Sequence, residues 1–160
     1  MIYRIATLDD LEKIWNKDIV RHPNNDNWKR WKPEYINYNK NGEATTFVAV
    51  ENDEPVGQIT LIMSQNCKAV ANRPQLCDGK TIFNFNAFRI DKEYEGQGHI
   101  SKLVKIAEAY AKEHGAKIIT IGAEAKESRN IAIYYHFGYK NFVCNLVEDG
   151  EMILYYSKTL

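Results

Sequence analysis

The chain opens with two patterns of apolar and polar residues, an alternation followed by a helical spacing. Residues 1–6 alternate apolar and polar side chains, which predicts a first strand. Thr7 then stands as a helix N-cap with Asp10 three residues later, the arrangement of a capping box. The apolar stripe of a first helix follows at Leu8, Leu11, Ile14 and Trp15.

The pattern then becomes irregular before two strands are predicted. Residues 21–41 are polar and aromatic, and Pro33 suits the first turn of a helix, so a short second helix is predicted to start near Pro33. Two strand patterns separated by turn residues predict a hairpin, at 46–51 and 56–63. Scattered polar residues with one proline and one glycine predict a long loop over 65–80.

The second half of the chain predicts alternating strands and helices. The predicted elements are a strand at 81–90, a turn at 91–98, a helix from Ile100 ending at Gly115, a strand at 117–123, a helix from Ser128 or Asn130 ending at Gly138, and a hairpin of strands 141–147 and 152–157. This order predicts a mixed α/β fold, with residues 1–160 forming a single domain.

Composition excludes several classes of protein. Lys+Arg and Asp+Glu are both 21, so the net charge is zero and a nucleic-acid partner is not expected. No apolar run approaches the ~20 residues of a membrane helix, and the N-terminus lacks a signal-peptide pattern, so no membrane association is expected. The histidines and cysteines lack metal-ligand spacing, and three cysteines without a CxxC pair fit reduced thiols in the cytoplasm.

A glycine turn is the most informative segment. A predicted strand ends at Ile90, Gly96 and Gly98 allow a tight turn, and a helix follows. The first N–H groups of a helix have no partner within it and carry partial positive charge, so this turn suits a phosphate or pyrophosphate. The Gly-Lys-Ser/Thr ending of a Walker loop is missing. A dinucleotide fingerprint is half matched, and a turn that binds nothing is the plainer alternative.

A second segment, Asn130 to Tyr139, combines with that turn. Tyr134 stands on a predicted short helix, four residues before Gly138 and its following aromatic residue. Together the two segments resemble the GNAT superfamily of N-acetyltransferases. The resemblance implies a single GNAT-like domain with a mixed, mostly antiparallel sheet flanked by helices. It also implies acetyl-CoA as cosubstrate, with no metal.

The resemblance assigns the cofactor-binding residues. The backbone of Phe88, Arg89 and Ile90 matches the strand end that pairs with pantetheine. The pyrophosphate loop matches Gly96, Gln97, Gly98, His99, Ile100 and Ser101. Asn130 is expected to replace an asparagine of the family whose own position is Glu127 here. Glu95 and Ile100 depart from the family pattern, the first by carrying a negative charge at the loop.

The resemblance also implies direct attack of an amine on the thioester. Tyr134 matches the tyrosine near the cofactor sulfur and is the candidate general acid, with a packed core tyrosine as the alternative. Glu124 is the best acidic candidate for the base. Related enzymes often place a glutamate two residues earlier on this strand, where Gly122 stands here, and positions 122 and 124 share a face of a regular strand. A solvated side chain is the alternative. The remaining candidates are Asn84 and Asn86, which would orient substrate or satisfy local backbone groups.

The acceptor is expected to be a small-molecule amine or a peptide. An aromatic cluster lies where the superfamily builds its acceptor site, and its faces would hold a cationic amine, or it caps the core. Its members are Trp28, Trp31, Tyr35 and Tyr38. An exposed edge strand would allow a homodimer. Two alternative functions stay open: a non-catalytic CoA-binding sensor or interaction domain, and a dinucleotide-binding oxidoreductase.

Overall fold

The computed structural model describes all 160 residues of the chain. It contains seven strands and four helices in the predicted order. In sequence these are β1 Ile2–Ile5, α1 Leu8–Arg21, α2 Asn27–Lys40, β2 Ala44–Glu51, β3 Glu54–Ile62, β4 Ile82–Ile90, α3 His99–Glu113, β5 Ile118–Glu124, α4 Ser128–His136, β6 Asn141–Glu148 and β7 Glu151–Thr159.

The strands form one sheet in the order β1-β2-β3-β4-β5-β7-β6. The ladder between β4 and β5 is parallel and joins Ile82–Phe85 to Ile118–Ile121. The ladders β1–β2, β5–β7 and β6–β7 are antiparallel. The predicted α/β fold with a mostly antiparallel sheet is therefore confirmed.

The chain folds as two compact units. The first contains Met1–Thr60 and Ala87–Ala107, and the second contains Leu61–Asn86 and Glu108–Leu160. The expectation that residues 1–160 form a single domain stays a prediction.

In the first unit, α1 begins as the sequence predicts. The Thr7 hydroxyl accepts the N–H of Asp10 at 3.1 Å, and the Asp10 carboxylate accepts the N–H of Thr7 at 2.8 Å, which completes the capping box. Three members of the predicted apolar stripe are buried, with Leu11 and Trp15 each 1% exposed, whereas Leu8 at its start is 48% exposed. The local signal and the packing of this helix thus agree.

A helix lies in the segment where α2 was predicted, but its predicted start was wrong. The helix begins at Asn27, so Pro33 lies inside it and not at its start. Pro33 has no N–H to donate and its ring crowds the carbonyl one turn earlier, which disfavours a helix locally. Packing compensates, because the Tyr35 ring is buried with its centroid 4.9 Å from that of Trp15 on α1. The aromatic contacts of this helix outweigh its proline.

In the second unit, the segment before β4 is more ordered than the predicted loop. It contains a short 3-10 turn at Lys68–Val70 and buries the side chains of Leu76 and Cys77 completely. Asp78 then accepts the backbone N–H groups of three successive residues, each at 2.8 Å. This carboxylate shapes the turn from which β4 begins.

Three further observations concern the classes considered from composition. None of the four helices has both the length and the apolar character needed to cross a bilayer. All three cysteines are free. No three or more His, Cys, Asp or Glu side chains converge as metal ligands would.

Candidate active site

The glycine turn has the geometry of an anion site. Gly96 and Gly98 have φ values of +72° and +84°, which side chains rarely adopt, and α3 begins directly after them at His99. A Cβ atom added at either glycine would meet nothing within 4 Å. Close packing therefore does not explain these glycines, whereas a left-handed turn with open space beside it does. The first turn of α3 contains no acidic residue, so its N–H groups face no competing negative charge of its own.

The polar side chains of this turn bond to the protein itself. The hydroxyl of Tyr3 lies 2.6 Å from Nδ1 of His99, and Gln97 donates to the backbone oxygen of Glu93 at 3.0 Å. Glu95 is exposed, so its charge is screened by solvent. The backbone N–H groups, more than these side chains, are therefore the groups available to a phosphate.

Asp91 fixes the beginning of the turn. It directly follows β4, and only 7% of it is exposed. Its carboxylate accepts from Lys17 at 2.6 Å and from Arg21 at 2.9 Å, both on α1, and its N–H donates to the oxygen of Val56 at 2.7 Å. Sequence reasoning missed this network. Its signal is a pair of basic residues four positions apart on one helix face.

Arg89 lies in the last three residues of β4, whose backbone was assigned to the cofactor. Its side chain turns into the first unit, where Nε lies 2.7 Å from Oδ2 of Asp18. The guanidinium is 4.6 Å and 4.9 Å from the ring centroids of Trp15 and Trp28. Burial raises the pKa of the Asp18 carboxyl, and the positive charge of Arg89 opposes that rise. The Arg89 side chain is thus engaged away from the glycine turn.

The predicted aromatic acceptor cluster packs largely on itself. The Trp28 ring stacks on His22 with centroids 4.2 Å apart and contacts Trp31 edge-on at 5.2 Å. Together with its contact to Arg89, this leaves Trp28 well engaged by its own unit. These contacts favour a packing role for Trp28, and acceptor binding by Trp28 and Trp31 stays a prediction.

In the second unit, Tyr134 is buried on α4, with 7% of it exposed. Burial raises the pKa of its phenol to about 12. Asn130 lies one helical turn earlier and is exposed. The end of α4 is fixed by Gly138, with φ +98°, and by Tyr139, whose hydroxyl donates to Glu108 at 2.9 Å. Tyr134 is therefore a neutral phenol on a well-anchored helix.

The position expected for a catalytic glutamate is closed. Tyr155 of β7 lies opposite Gly122 of β5, and a Cβ added at Gly122 would be 2.6 Å from Cε1 of the Tyr155 ring. An acidic side chain does not fit there. Glu124 ends the same strand, and its side chain is 39% exposed and 3.6 Å from Lys126. Glu124 stays the candidate base, with a lysine beside it.

The two asparagines of β4 differ in exposure. Asn84 is 1% exposed, and its Nδ2 donates to the hydroxyl of Thr120 at 2.9 Å. This hydrogen bond favours the alternative in which Asn84 satisfies neighbouring polar groups of the protein and does not orient substrate. Asn86, two residues further along β4, is half-buried.

Comparison with known families agrees with this geometry. Residues 7–139 match the family model described as Acetyltransferase (GNAT) family. Since the match covers most of the chain, the protein belongs to the GNAT family of acetyltransferases. It is thus an enzyme of the acetyltransferase class, and acetyl-CoA is the acyl donor used in this family.

Solved structures share the fold over nearly the whole chain. The ribosomal-protein-alanine N-acetyltransferase from Brucella melitensis is 18% identical with a TM-score of 0.71, and 100% of both chains is covered. An aminoglycoside 6'-acetyltransferase type Ii is 18% identical with a TM-score of 0.76, over 99% of this chain and 97% of that one. An aminoglycoside 6'-N-acetyltransferase complexed with coenzyme A has a TM-score of 0.71 at 18% identity, over 99% and 97%. A search of curated proteins gave no significant match.

Proposed function

We propose that this protein transfers the acetyl group of acetyl-CoA to a primary amine of a small molecule or peptide by direct attack. The observation that carries the proposal is the glycine turn. Gly96 and Gly98 adopt left-handed backbone conformations beside open space at the N-terminus of α3, in a chain of the GNAT family. Such a turn fits a pyrophosphate, because several N–H groups converge there without an intrahelical partner.

The cofactor contacts follow from the family pattern. The N–H groups of residues 96–101 would bind the pyrophosphate, and Ser101 would add a hydroxyl donor. The backbone of Phe88, Arg89 and Ile90 would pair with pantetheine. The exposed Asn130 would take the place of the family asparagine near the cofactor. Acetyl-CoA supplies the reactive thioester when bound.

Proton transfers in this reaction depend on the acceptor and on two side chains. A lysine-like amine has a pKa of ~10.4 and must lose a proton before it attacks. Glu124 would accept that proton directly or through water. Backbone N–H groups at the end of β4 would stabilise the negative oxygen that develops on the acetyl group.

Tyr134 would act on the departing sulfur. A thiol has an ordinary pKa of ~8.5, whereas the pKa of the buried Tyr134 is about 12. Complete proton transfer from this phenol to the thiolate is therefore uphill unless the bound cofactor lowers that pKa. As general acid, Tyr134 would donate a strong hydrogen bond to the sulfur in the transition state, and the proton released by the amine would balance the reaction.

Two tyrosines side by side on α4 provide the test. Tyr134→Phe should lower kcat by about 100-fold, the usual size of a general-acid contribution, while the Kd of acetyl-CoA changes less than twofold. Tyr135→Phe is the matched control, because Tyr135 is 41% exposed, and it should retain wild-type turnover. Calorimetry would give Kd, and release of the free CoA thiol would give kcat.

The outcomes separate the candidate functions. If neither a calorimetric signal nor a thermal shift is seen with acetyl-CoA, the proposed function is wrong. Binding without thiol release across a broad amine panel would instead indicate a CoA-binding sensor.

A further inference from the structure

A group of buried polar atoms without hydrogen-bond partners lies in the first unit. Gln58 on β3 is completely buried, and neither Oε1 nor Nε2 has a partner. Nε1 of Trp15 on α1 and Nη2 of Arg89 on β4 are also buried without an acceptor. More than ~90% of buried polar groups in proteins are hydrogen-bonded, so this concentration needs a specific explanation.

The strand register brings these groups together. The N–H of Asp91 donates to Val56 at 2.7 Å, and a Cβ added at Gly57 would be 3.6 Å from Cα of Ile90. Position 58 on β3 is therefore opposite position 89 on β4. Successive side chains of a strand alternate between faces, so Gln58 and Arg89 share the face opposite to Ile90. On that face the Arg89 guanidinium is 4.6 Å from the ring of Trp15.

The group has more donors than acceptors. Asp18 neutralises Arg89 through an oxygen 2.7 Å from Nε. Arg89, Gln58 and Trp15 each have a buried nitrogen without an acceptor. Within these three side chains, the single oxygen, Oε1 of Gln58, also has no partner. A ligand that supplies two oxygens of one carboxylate matches such a set, because a guanidinium binds that group through two parallel hydrogen bonds.

Arg89 is the most exposed member of the group, although its Nη2 is itself buried. Its side chain is 24% exposed, whereas Gln58 is fully buried and Trp15 is 1% exposed. Arg89 also lies between Phe88 and Ile90, whose backbone the proposed function gives to pantetheine. A group bound by Arg89 would therefore lie beside the strand end that carries the thioester, where the acceptor belongs.

We propose that Arg89 binds a carboxylate of the acyl acceptor, with Gln58 and Trp15 completing its donor set, so that the acceptor is an amine of the amino-acid type. This inference rests on the proposed function, and it adds the substrate class and a specificity-determining residue. The amine of such a ligand would extend from the carboxylate towards the thioester.

The test compares amines that differ only in the carboxylate. Glycine, L-phenylalanine and L-lysine are each assayed beside their α-amides, with release of CoA thiol as the readout. For the best of these acceptors, kcat/KM should be at least about tenfold higher for the acid than for the amide. A second readout needs no turnover: with CoA present, the N-acetyl acid should raise Tm more than the N-acetyl amide.

Three variants locate the effect. Arg89→Gln should raise KM for the acid about tenfold or more and bring the ratio of kcat/KM between acid and amide close to one. Gln58→Met changes no charge and replaces the amide by an apolar side chain of similar length, so it stays informative if Arg89→Gln fails to fold. It should also raise KM for the acid. Lys13→Gln removes an exposed positive charge from α1 and should change neither value.

The outcomes distinguish this inference from the proposed function. Equal kcat/KM values for acids and amides would overturn the inference, and so would an unchanged KM for the acid in Gln58→Met. In either case, amine-dependent release of CoA thiol would still support the proposed acetyltransferase function. Buried water alone around Gln58 in a ligand-bound crystal structure would overturn it as well. If acetyl-CoA does not bind and no amine releases thiol, both proposals are wrong.

Discussion

Gly98 and Gly150 are two exposed glycines with nearly the same backbone conformation. Their φ values are +84° and +80°, and a Cβ added at either would meet nothing within 4 Å. Only Gly98 lies at the N-terminus of a long helix, whereas Gly150 lies in the turn between β6 and β7. Substitutions at these two positions can therefore distinguish a glycine needed only for its backbone conformation from one that is also needed for ligand binding.

Alanine at each position gives the first residue-scale prediction. Gly98→Ala and Gly150→Ala should each lower the free energy of unfolding by about 1 kcal/mol, because an L-residue at positive φ is strained. Gly98→Ala alone should raise the Kd of acetyl-CoA about tenfold, since its methyl group enters the space given to the pyrophosphate. Urea unfolding and calorimetry measure the two effects. Equal Kd values in the two variants would remove the glycine turn from the binding site.

Single residues also show where sequence reasoning succeeds and where it stops. The left-handed turn at Gly96 and Gly98 was predictable, because glycine between a strand and a helix is a local signal. The closure of position 122 by Tyr155 was not, because it depends on the cross-strand register of β5 and β7. The pairing of Asp18 with Arg89 was hidden as well, because it depends on how α1 packs against β4.

At the scale of elements, the network of Asp91 joins α1 to the end of β4. Asp91→Asn should lower the free energy of unfolding by about 1–3 kcal/mol, because Lys17 and Arg21 lose a buried anionic partner. It should also weaken acetyl-CoA binding, since the glycine turn starts at this residue. Urea unfolding and calorimetry measure the change.

Glu93 provides the matched control for this substitution. It is exposed, lies two residues further along the same turn, and its replacement makes the same change of charge. Glu93→Gln should change the free energy of unfolding by no more than about 0.5 kcal/mol. If both variants lose the same stability, the burial of Asp91 does not matter to the turn.

The turn before β4 depends on Asp78 in a way that pH reveals. Burial of this carboxyl favours its protonated form, but hydrogen bonds from the N–H groups of Ile82, Lys80 and Thr81 outweigh it and lower the pKa to about 2. The unfolded value is ~3.9, so the ionised carboxylate stabilises the fold fully above about pH 4. That contribution is lost as the pH falls from about 4 to about 2.

Asp78→Ala should therefore cost about 1 kcal/mol or more at pH 6, as the loss of a helix cap does, and less at pH 3. Urea unfolding at the two pH values measures the difference from wild type. Asp26→Ala, whose parent side chain is 93% exposed, is the control and should show little change at either pH. A pH-independent loss in Asp78→Ala would contradict the ionised role of this side chain.

The helices show how far local patterns predict an element. The capping box and apolar stripe of α1 are local, and both were visible in the sequence. The start of α2 was misplaced because proline chemistry was the strongest local signal, whereas the contact of Tyr35 with Trp15 on another helix decides the outcome. The missing information was tertiary.

At the scale of the whole molecule, two buried tyrosines couple stability to alkaline pH. Burial raises the pKa of Tyr134 to about 12, and burial with a nearby glutamate raises that of Tyr139 further. In the unfolded chain a tyrosine ionises near pH ~10. Since the folded pKa is the higher one, this stabilisation is complete below about pH 10 and is lost as the pH rises above it.

The free energy of unfolding should fall by about 1.4 kcal/mol per pH unit for each such tyrosine above pH 10. In Tyr134→Phe this slope should decrease by about that amount, and in Tyr135→Phe it should match wild type. Chemical unfolding between pH 9 and pH 11 measures the slopes. Parallel slopes in wild type and Tyr134→Phe would show that Tyr134 is not buried in solution.

The order of elements over the whole chain was predicted because each strand and helix carries its own periodicity. The assignment to the GNAT family needed only two short segments, around Gly96 and around Tyr134, and the family match confirms it. The acceptor could not be predicted in this way. Side chains such as Gln58, Arg89 and Trp15 are distant in sequence, and only the fold brings them together.

Transfer of the acetyl group from acetyl-CoA to an amine is the central claim, and one measurement tests it most directly. Purified protein is incubated with acetyl-CoA and the amine panel, and free CoA thiol and acetylated amine are quantified together. The two products should appear one for one, and thiol release should stop when the amine is omitted. Thiol release that does not depend on an amine, or no release with any amine despite acetyl-CoA binding, would contradict an N-acetyltransferase.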